Sequence, residues 1–280
     1  MEIGYYNGKF AELKDIRLPL TDRCIFFGDG IYDAAIGRNG KIYLEEEHLE
    51  RFMKNAELLD IRLDFSMADL RALTREAVKR SGEECFFLYF QLSRTSSSRK
   101  HAYDKDSGAS LLITVKPCEM PNPEKALKLV TYEDKRYEYC NVKTLNLLPS
   151  VLASSYAEAL GADEAVFHRK STVTECAHSN VSIIKGGILH THPTNQFILA
   201  GTARKKLLEK CTEMKIPVSQ RPFSLDALYT ADEVLVSSSS KLCVTASSIN
   251  GVCYEQRTDS IGRRLCNAIY EDFVSATEGK

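Results

Sequence analysis

Apolar positions recur at two periods along the first third of the chain, and the alternation of these periods predicts hairpins and helices in turn. Asn7-Gly8 and Asn39-Gly40 each separate two strand-like runs by two residues, the spacing of a tight antiparallel hairpin, the second of them joining 34–36 to 41–44. Leu44, His48, Leu49, Phe52, Ala56 and Leu59 then follow at helical spacing with charges between them. Ser66 and Asp69 have the spacing of a capping box, which predicts a second helix through Leu70, Leu73, Ala77 and Val78 that ends at Gly82. The runs 85–92 and 110–116 read as strands.

Pro117, Pro121 and Pro123 then fall within a short polar stretch that can continue neither a helix nor a central strand. This predicts a small α+β domain over 1–116, a linker over 117–124 and a larger domain over 125–280. In the latter, strands are expected at 127–131, 164–168, 181–184, 188–191 and 234–237, and helices near 149–160, 203–214 and 261–274. The overall class is α+β (α/β), with no internal repeat.

Composition narrows the function classes. With 280 residues the chain is long enough for two medium domains, and no apolar run approaches the roughly 20 residues of a membrane helix. Thirty-seven basic against 38 acidic residues leave a net charge of -1, without the basic excess of a nucleic-acid binder. The start Met1-Glu2-Ile3-Gly4-Tyr5 lacks the marks of a secretory signal, so a cytoplasmic protein is expected. Nine cysteines without a C-x-x-C suggest neither a zinc site nor a disulfide framework, and most are expected in the core. No metal site is expected.

Four features of the large domain could carry chemistry. The run from Phe197 to Arg204 passes through Gly201 into a helix, a form that aims backbone N–H groups at an anion such as phosphate but is also that of any helix start. Ser237-Ser238-Ser239-Ser240 directly follows an apolar strand and offers donors to a phosphate or carboxylate, or is a solvated loop. Lys143 lies between apolar residues, where a desolvated amine can become a nucleophile, although most lysines are solvated surface groups. Glu175 is a single acid among small residues ahead of a strand, and a surface turn is the plain alternative.

Five segments occur together in register: Phe27-Gly28-Asp29-Gly30-Ile31-Tyr32-Asp33, Glu47-His48-Leu49-Glu50-Arg51, Lys143-Thr144-Leu145-Asn146-Leu147-Leu148, Thr172-Val173-Thr174-Glu175 and Ile198-Leu199-Ala200-Gly201-Thr202-Ala203-Arg204. In order and spacing they resemble class IV pyridoxal-phosphate aminotransferases across nearly the whole chain. The resemblance implies a two-domain fold-type IV enzyme, with a small N-terminal α+β domain and a larger C-terminal mixed-sheet pseudo-barrel. It implies pyridoxal 5'-phosphate as cofactor, with Lys143 as the lysine that holds it covalently and, as the free amine, moves the substrate proton. Glu175 matches the acid paired with the pyridine nitrogen. Arg51 matches the phosphate-binding arginine, joined by Thr202 and Ala203 at the helix start and by Ser238 and Ser239.

Arg94-Thr95-Ser96-Ser97-Ser98-Arg99-Lys100-His101 resembles the segment of D-amino-acid aminotransferases in which an Arg-x-His pair, here Arg99 and His101, captures the substrate carboxylate; Tyr32 matches a tyrosine of the same pocket. A basic surface loop is the plain alternative. The implied reaction moves an amino group between a D-amino acid, such as alanine or glutamate, and a 2-oxo acid, in a homodimer. Aminodeoxychorismate lyase and branched-chain L-amino-acid aminotransferase are the alternatives, with a catalytically silent cofactor-binding protein beyond them. Three segments depart from the pattern: Thr202-Ala203 in place of an Ile/Val-Thr pair, Cys176-Ala177-His178 in place of glycine and serine, and Lys241-Leu242-Cys243 after the serine run. His178 is expected to be structural or on the surface.

Overall fold

The computed structural model describes residues 2–279, which divide into two compact units. The first comprises the chain up to Met120 together with two later segments, Val142–Asn146 and Val274–Lys280, and the second comprises Pro121–Asn141 and Leu147–Phe273. The division is therefore not a single cut in sequence: 142–146, the stretch that carries Lys143, returns to the first unit.

The first unit holds β1 (Ile3–Tyr6), β2 (Lys9–Glu12), α1 (Arg23–Phe27), β3 (Gly30–Arg38), β4 (Lys41–Ile42), α2 (Glu45–Leu58), α3 (Met67–Ser81), β5 (Cys85–Ser93) and β6 (Ser110–Pro117). Its six strands form an antiparallel sheet in the order β2-β1-β6-β5-β3-β4. Both hairpins form as the sequence predicts, since Asn7 and Asn39 take positive φ (42° and 52°) ahead of Gly8 and Gly40, as the favoured two-residue turn requires. The second is shorter than expected: β4 stops at Ile42, and Leu44 takes a left-handed conformation at the start of α2. Ser66 and Asp69 close the capping box of α3, and Gly82 ends it at φ 65°. Leu49 and Phe52 of α2 and Leu70 of α3 are buried with Leu88 and Phe90 of β5 and Ile113 of β6 in one core cluster, in which the Phe52 and Phe90 rings lie 4.8 Å apart.

The second unit contains β7 (Leu127–Glu133), α4 (Leu148–Ala159), β8 (Glu164–Arg169), β9 (Thr172–Cys176), β10 (Asn180–Lys185), β11 (Ile188–Thr191), α5 (Thr202–Glu213), β12 (Val218–Ser219), β13 (Phe223–Ser224), α6 (Leu225–Tyr229), β14 (Glu233–Ser238), β15 (Leu242–Ile249) and β16 (Val252–Cys253). α7 (Ile261–Ala276) packs Leu265, Cys266, Ile269 and Phe273 inward and reaches the segment that returns to the first unit. Its sheet is mixed, in the order β12-β11-β10-β14-β15-β7-β8-β9-β13 with β16 beside β15; β11/β12, β15/β7 and β7/β8 are the parallel pairs. β9 and β15, which the sequence reading left without an element, are largely buried strands in this sheet. Among the described residues no helix is long and apolar enough to cross a membrane. The cysteines correct the expectation of a mostly buried set: only Cys176, Cys211, Cys243 and Cys266 are buried.

Candidate active site

In the first unit the site begins on β3. Tyr32 N donates to the Lys143 carbonyl (2.9 Å), Leu145 N donates to the Gly30 carbonyl (3.1 Å), and Thr144 bridges Ile31, so 142–146 runs as an extra irregular strand beside the start of β3. Asn146 Nδ2 fixes the far end on the Gly28 carbonyl (3.0 Å). Gly28 ends α1 at φ +61°, and a Cβ there would lie 2.9 Å from Asn146 Oδ1, so both conformation and space call for glycine. The backbone thus holds Lys143 whatever its side chain does. Its Nζ lies 4.1 Å from the centre of the Tyr32 ring, which itself stacks on Tyr89 of β5.

The next residue of β3 points the other way, into the protein. Asp33 is fully buried and accepts from Arg51 Nε (2.8 Å) and Nη2 (2.8 Å), His48 Nδ1 (2.7 Å) and its neighbour's Ala34 N (2.7 Å). Burial opposes ionisation of Asp33, but the Arg51 guanidinium and His48 outweigh it and hold the carboxyl well below the usual carboxylate range. The sequence places Arg51 at a phosphate; in the structure its guanidinium is oriented by Asp33 in a two-point clamp. Asp33→Asn is expected to lower the unfolding free energy at neutral pH by about 3–5 kcal/mol, the cost of breaking a buried ion pair. Because the native carboxyl is depressed, this stabilisation is complete above its unfolded value near 3.9 and is lost as pH falls. Urea unfolding of parent and variant should therefore differ most at neutral pH and converge in acid.

Arg99 and His101 lie on the exposed segment between β5 and β6, and Phe27 gathers them: the Arg99 guanidinium is 5.6 Å and the His101 ring 5.2 Å from its ring centre. Arg23, which sequence reasoning passed over, braces the same segment. Its Nη1 donates to the Lys100 carbonyl (2.6 Å), Nη2 to the His101 carbonyl (3.0 Å) and Nε to Asp29 (2.6 Å), with its guanidinium 4.7 Å from the Phe27 ring. A surface loop is thus accurate for exposure but not for order, since the main chain beside both residues is clamped.

In the second unit Glu175 is not on a surface turn. It lies near the end of β9, and its carboxylate accepts from Arg136 Nη1 (2.5 Å), Asn180 Nδ2 (3.0 Å) and Leu199 N (3.0 Å). Burial pushes the Glu175 carboxyl up to about 7, with Arg136 working against the shift. Arg136 is itself fixed by Asp134, which also takes Arg169 (3.1 Å) and the Thr174 hydroxyl (3.2 Å), and its guanidinium lies 4.4 Å from the Phe167 ring. No local motif announces this Asp134–Arg136–Arg169 network, to which sequence reasoning assigned no role.

Leu199, bonded to Glu175, leads directly into α5. Gly201 is its N-cap and contributes no side-chain cap, while Thr202 and Ala203 are buried in the first turn. A Cβ on Gly201 would fall 2.1 Å from Asn180 Oδ1, so glycine here lets the helix start approach the residue that holds Glu175. Ser237 is buried in β14, Ser238 ends that strand and Ser239 begins a turn across which the Ser238 hydroxyl accepts from Lys241 N (3.2 Å). The Ser182 and Ser237 hydroxyls are buried without a partner on the neighbouring strands β10 and β14, whose register sets Asn180 opposite Ser237. Buried acid, uncapped helix start, serine turn and unpaired hydroxyls fit a group that carries a basic ring nitrogen and a phosphate.

The amino-transferase class IV family model matches residues 30–249. The D-alanine aminotransferase of Staphylococcus epidermidis is 34% identical over 250 residues, covering 88% of this chain and 89% of that protein. Among solved structures, a branched-chain aminotransferase from Thermoproteus uzoniensis superposes with a TM-score of 0.91 at 18% identity over 99% of this chain and 96% of that one. A putative 4-amino-4-deoxychorismate lyase from Legionella pneumophila gives 0.85 at 23% identity, over 93% and 97%. The α+β architecture and the fold-type IV assignment are borne out by these likenesses. The chain belongs to the class IV aminotransferases, enzymes that use pyridoxal phosphate to transfer amino groups.

Proposed function

We propose that this chain binds pyridoxal phosphate and transfers the amino group of a D-amino acid, such as D-alanine or D-glutamate, to a 2-oxo acid. The single observation that carries the substrate class is the Arg99/His101 pair gathered on Phe27 with its main chain clamped by Arg23, a preordered cation on an exposed segment. The substantial identity to D-alanine aminotransferases supports the same reading. Bound pyridoxal phosphate supplies the electron sink that deprotonation of an amino acid at Cα requires.

The residues of each unit have separate tasks. Lys143 would hold the cofactor through its amine and, as the free amine, would take and return the proton at substrate Cα. Tyr32 supports the amine from below with its ring face and shapes the space around it. Glu175 would keep the pyridine nitrogen protonated. Arg51, the α5 start at Thr202 and Ala203, and Ser238 and Ser239 would hold the phosphate. Arg99 and His101 hold the substrate carboxylate, the guanidinium by its planar fork.

The test is a visible absorbance spectrum of the purified enzyme, followed by separate additions of D-alanine, L-leucine and aminodeoxychorismate. Conversion of the bound cofactor by D-alanine alone supports the proposal; a response to L-leucine alone, or pyruvate release from aminodeoxychorismate without an amino acceptor, overturns it in favour of the corresponding activity. Arg99→Ala is expected to raise KM for D-alanine with little change in kcat, by about 2–3 kcal/mol for a lost charged hydrogen bond. An unchanged KM returns Arg99 to a surface role.

A homodimer completes the proposal. On α4, Ala153 and Ala157 face the core while Leu148, Val151, Leu152 and Tyr156 are exposed on one apolar stripe that continues to Leu160. Such a stripe is a docking face, and a second copy of the chain is its occupant. Leu152→Glu is expected to shift the mass measured by light scattering from two chains to one.

A further inference from the structure

Three residues beside the serine turn have no place in the reaction as described, yet they converge on one buried carboxylate. Glu164, at the start of β8, is 1% exposed. Its Oε1 accepts from the His178 backbone N–H (3.2 Å) and lies within hydrogen-bond reach of His178 Nδ1; its Oε2 accepts from the Ser179 hydroxyl (3.1 Å) and from Lys241 Nζ (3.3 Å). His178 and Lys241 hold the Glu164 carboxyl below its ordinary value against the opposing effect of burial. An ionised carboxylate only accepts, so His178 donates through Nδ1; the Lys241 ammonium only donates, so His178 Nε2, 3.4 Å from it, accepts.

The two partners of Glu164 arrive from different turns. His178 and Ser179 belong to the turn from β9 to β10, which starts just after Glu175 and ends at Asn180, whose Nδ2 is bonded to Glu175. Lys241 ends the turn from β14 to β15, where its backbone N–H is bonded to the Ser238 hydroxyl. One carboxylate therefore ties the turn that positions the pyridine-nitrogen acid to the turn that presents the phosphate serines. These segments, 176–178 and 241–243, are also where the sequence departs from the family pattern.

We propose that Glu164, His178 and Lys241 form a positioning brace that fixes both turns in the geometry that receives pyridoxal phosphate, with Glu164 the positioning residue and Lys241 acting through it rather than on the cofactor. This inference rests on the reading above that the chain binds pyridoxal phosphate. Without the brace, the Glu175–Asn180 bond and the Ser238 turn lose their common anchor, and cofactor binding must supply the ordering that the brace supplies in advance.

The experiment is a titration of cofactor-stripped, full-length enzyme with pyridoxal phosphate, followed by absorbance and by visible circular dichroism of the bound cofactor. Four proteins are compared: wild type, Glu164→Gln, Lys241→Met and the double variant. Lys241→Met is expected to raise the Kd for pyridoxal phosphate at least about fivefold in the wild-type background but less than about twofold in the Glu164→Gln background, where the shared partner is gone. The circular dichroism of the bound cofactor changes in both single variants. Equal weakening in the two backgrounds would overturn the brace in favour of direct contact between Lys241 and the cofactor. Unchanged Kd and circular dichroism in Glu164→Gln would reduce the cluster to a merely structural one. Lys241→Arg keeps the charge and is expected to retain the wild-type Kd, and its failure to do so in a protein with an unchanged melting temperature also overturns the proposal. A wild-type chain that takes up no pyridoxal phosphate overturns the functional reading itself, and that result precedes any variant.

Discussion

Lys143→Ala is expected to give a folded protein with no measurable transamination. The fold survives because what the structure uses at this position is backbone: the Lys143 carbonyl accepts from Tyr32 N, and the neighbouring Thr144, Leu145 and Asn146 hold the segment to β3 and Gly28. Alanine keeps all of these bonds. The side chain contributes an amine 4.1 Å from the Tyr32 ring centre, and on the proposed mechanism truncation removes both the covalent anchor for the cofactor and the base that moves the substrate proton. Loss of a positioned general acid–base alone costs up to about 10⁴-fold, and loss of the anchor adds to it. Borohydride reduction of the loaded enzyme followed by peptide mass analysis gives the readout independent of turnover: the wild-type peptide that contains Lys143 gains the mass of the reduced cofactor, and the variant peptide does not. A variant that retains full turnover would remove Lys143 from the mechanism. The phosphate contacts proposed for Arg51, the α5 start and the serine turn do not involve Lys143, so on that reading noncovalent uptake of pyridoxal phosphate should persist, with the cofactor released on dialysis.

Elements whose stability is local were legible in the sequence. The Asn-Gly turns, the Ser66/Asp69 box and the helices of the second unit each depend on residues within a few positions of one another, and they form close to where the pattern places them. β9 and β15 were not legible, because the polar residues of Thr172-Val173-Thr174-Glu175 and of Thr245-Ala246-Ser247-Ser248 break the alternation by which a strand is recognised; each pairs with the strand just before it and is covered on its other edge by a distant one, β13 and β7. The same division holds at the site. Lys143, Glu175 and Arg99 could be named from motifs, whereas Arg136, Asp134, Arg23 and Phe27 act on them across 39, 41, 76 and 72 positions of sequence and leave no local signal. Glu164 is the sharpest instance: it reads as the first polar residue of an ordinary strand, and only the fold brings His178 and Lys241 to it.

Glu175→Gln is expected to retain the cofactor yet lower kcat by about 10²–10³-fold, the range seen when one preorganised electrostatic partner is lost. The amide is close in shape to the carboxylate, so Leu199 N and Asn180 Nδ2 keep an acceptor in place, whereas the amide NH2 that replaces Oε1 loses the Arg136 Nη1 bond; Arg136 keeps its side-chain bonds to Asp134. What also disappears is the negative charge that, on the proposed reading, holds a proton on the pyridine nitrogen, and with it the capacity of the ring to take up electrons from Cα. Cofactor-free protein gives a second, independent readout. Because burial pushes the Glu175 carboxyl up to about 7, the native state holds a proton that the unfolded chain releases near 4.3, and stability falls as pH rises through that window. The full difference is roughly 4 kcal/mol, nearly all of it present by about pH 7. Asp33, Asp134 and Glu164, all depressed, act only below the window. His192, whose protonation is disfavoured by burial, gives a slope of opposite sign within it, but this slope is common to both proteins and cancels in their difference. Urea unfolding at pH 5, 6, 7 and 8 should therefore show the stability of the variant rising relative to wild type as pH increases to 7, and little further. A difference that does not change with pH would mean that Glu175 is ionised throughout, with Arg136 sufficient to keep it so in the absence of cofactor.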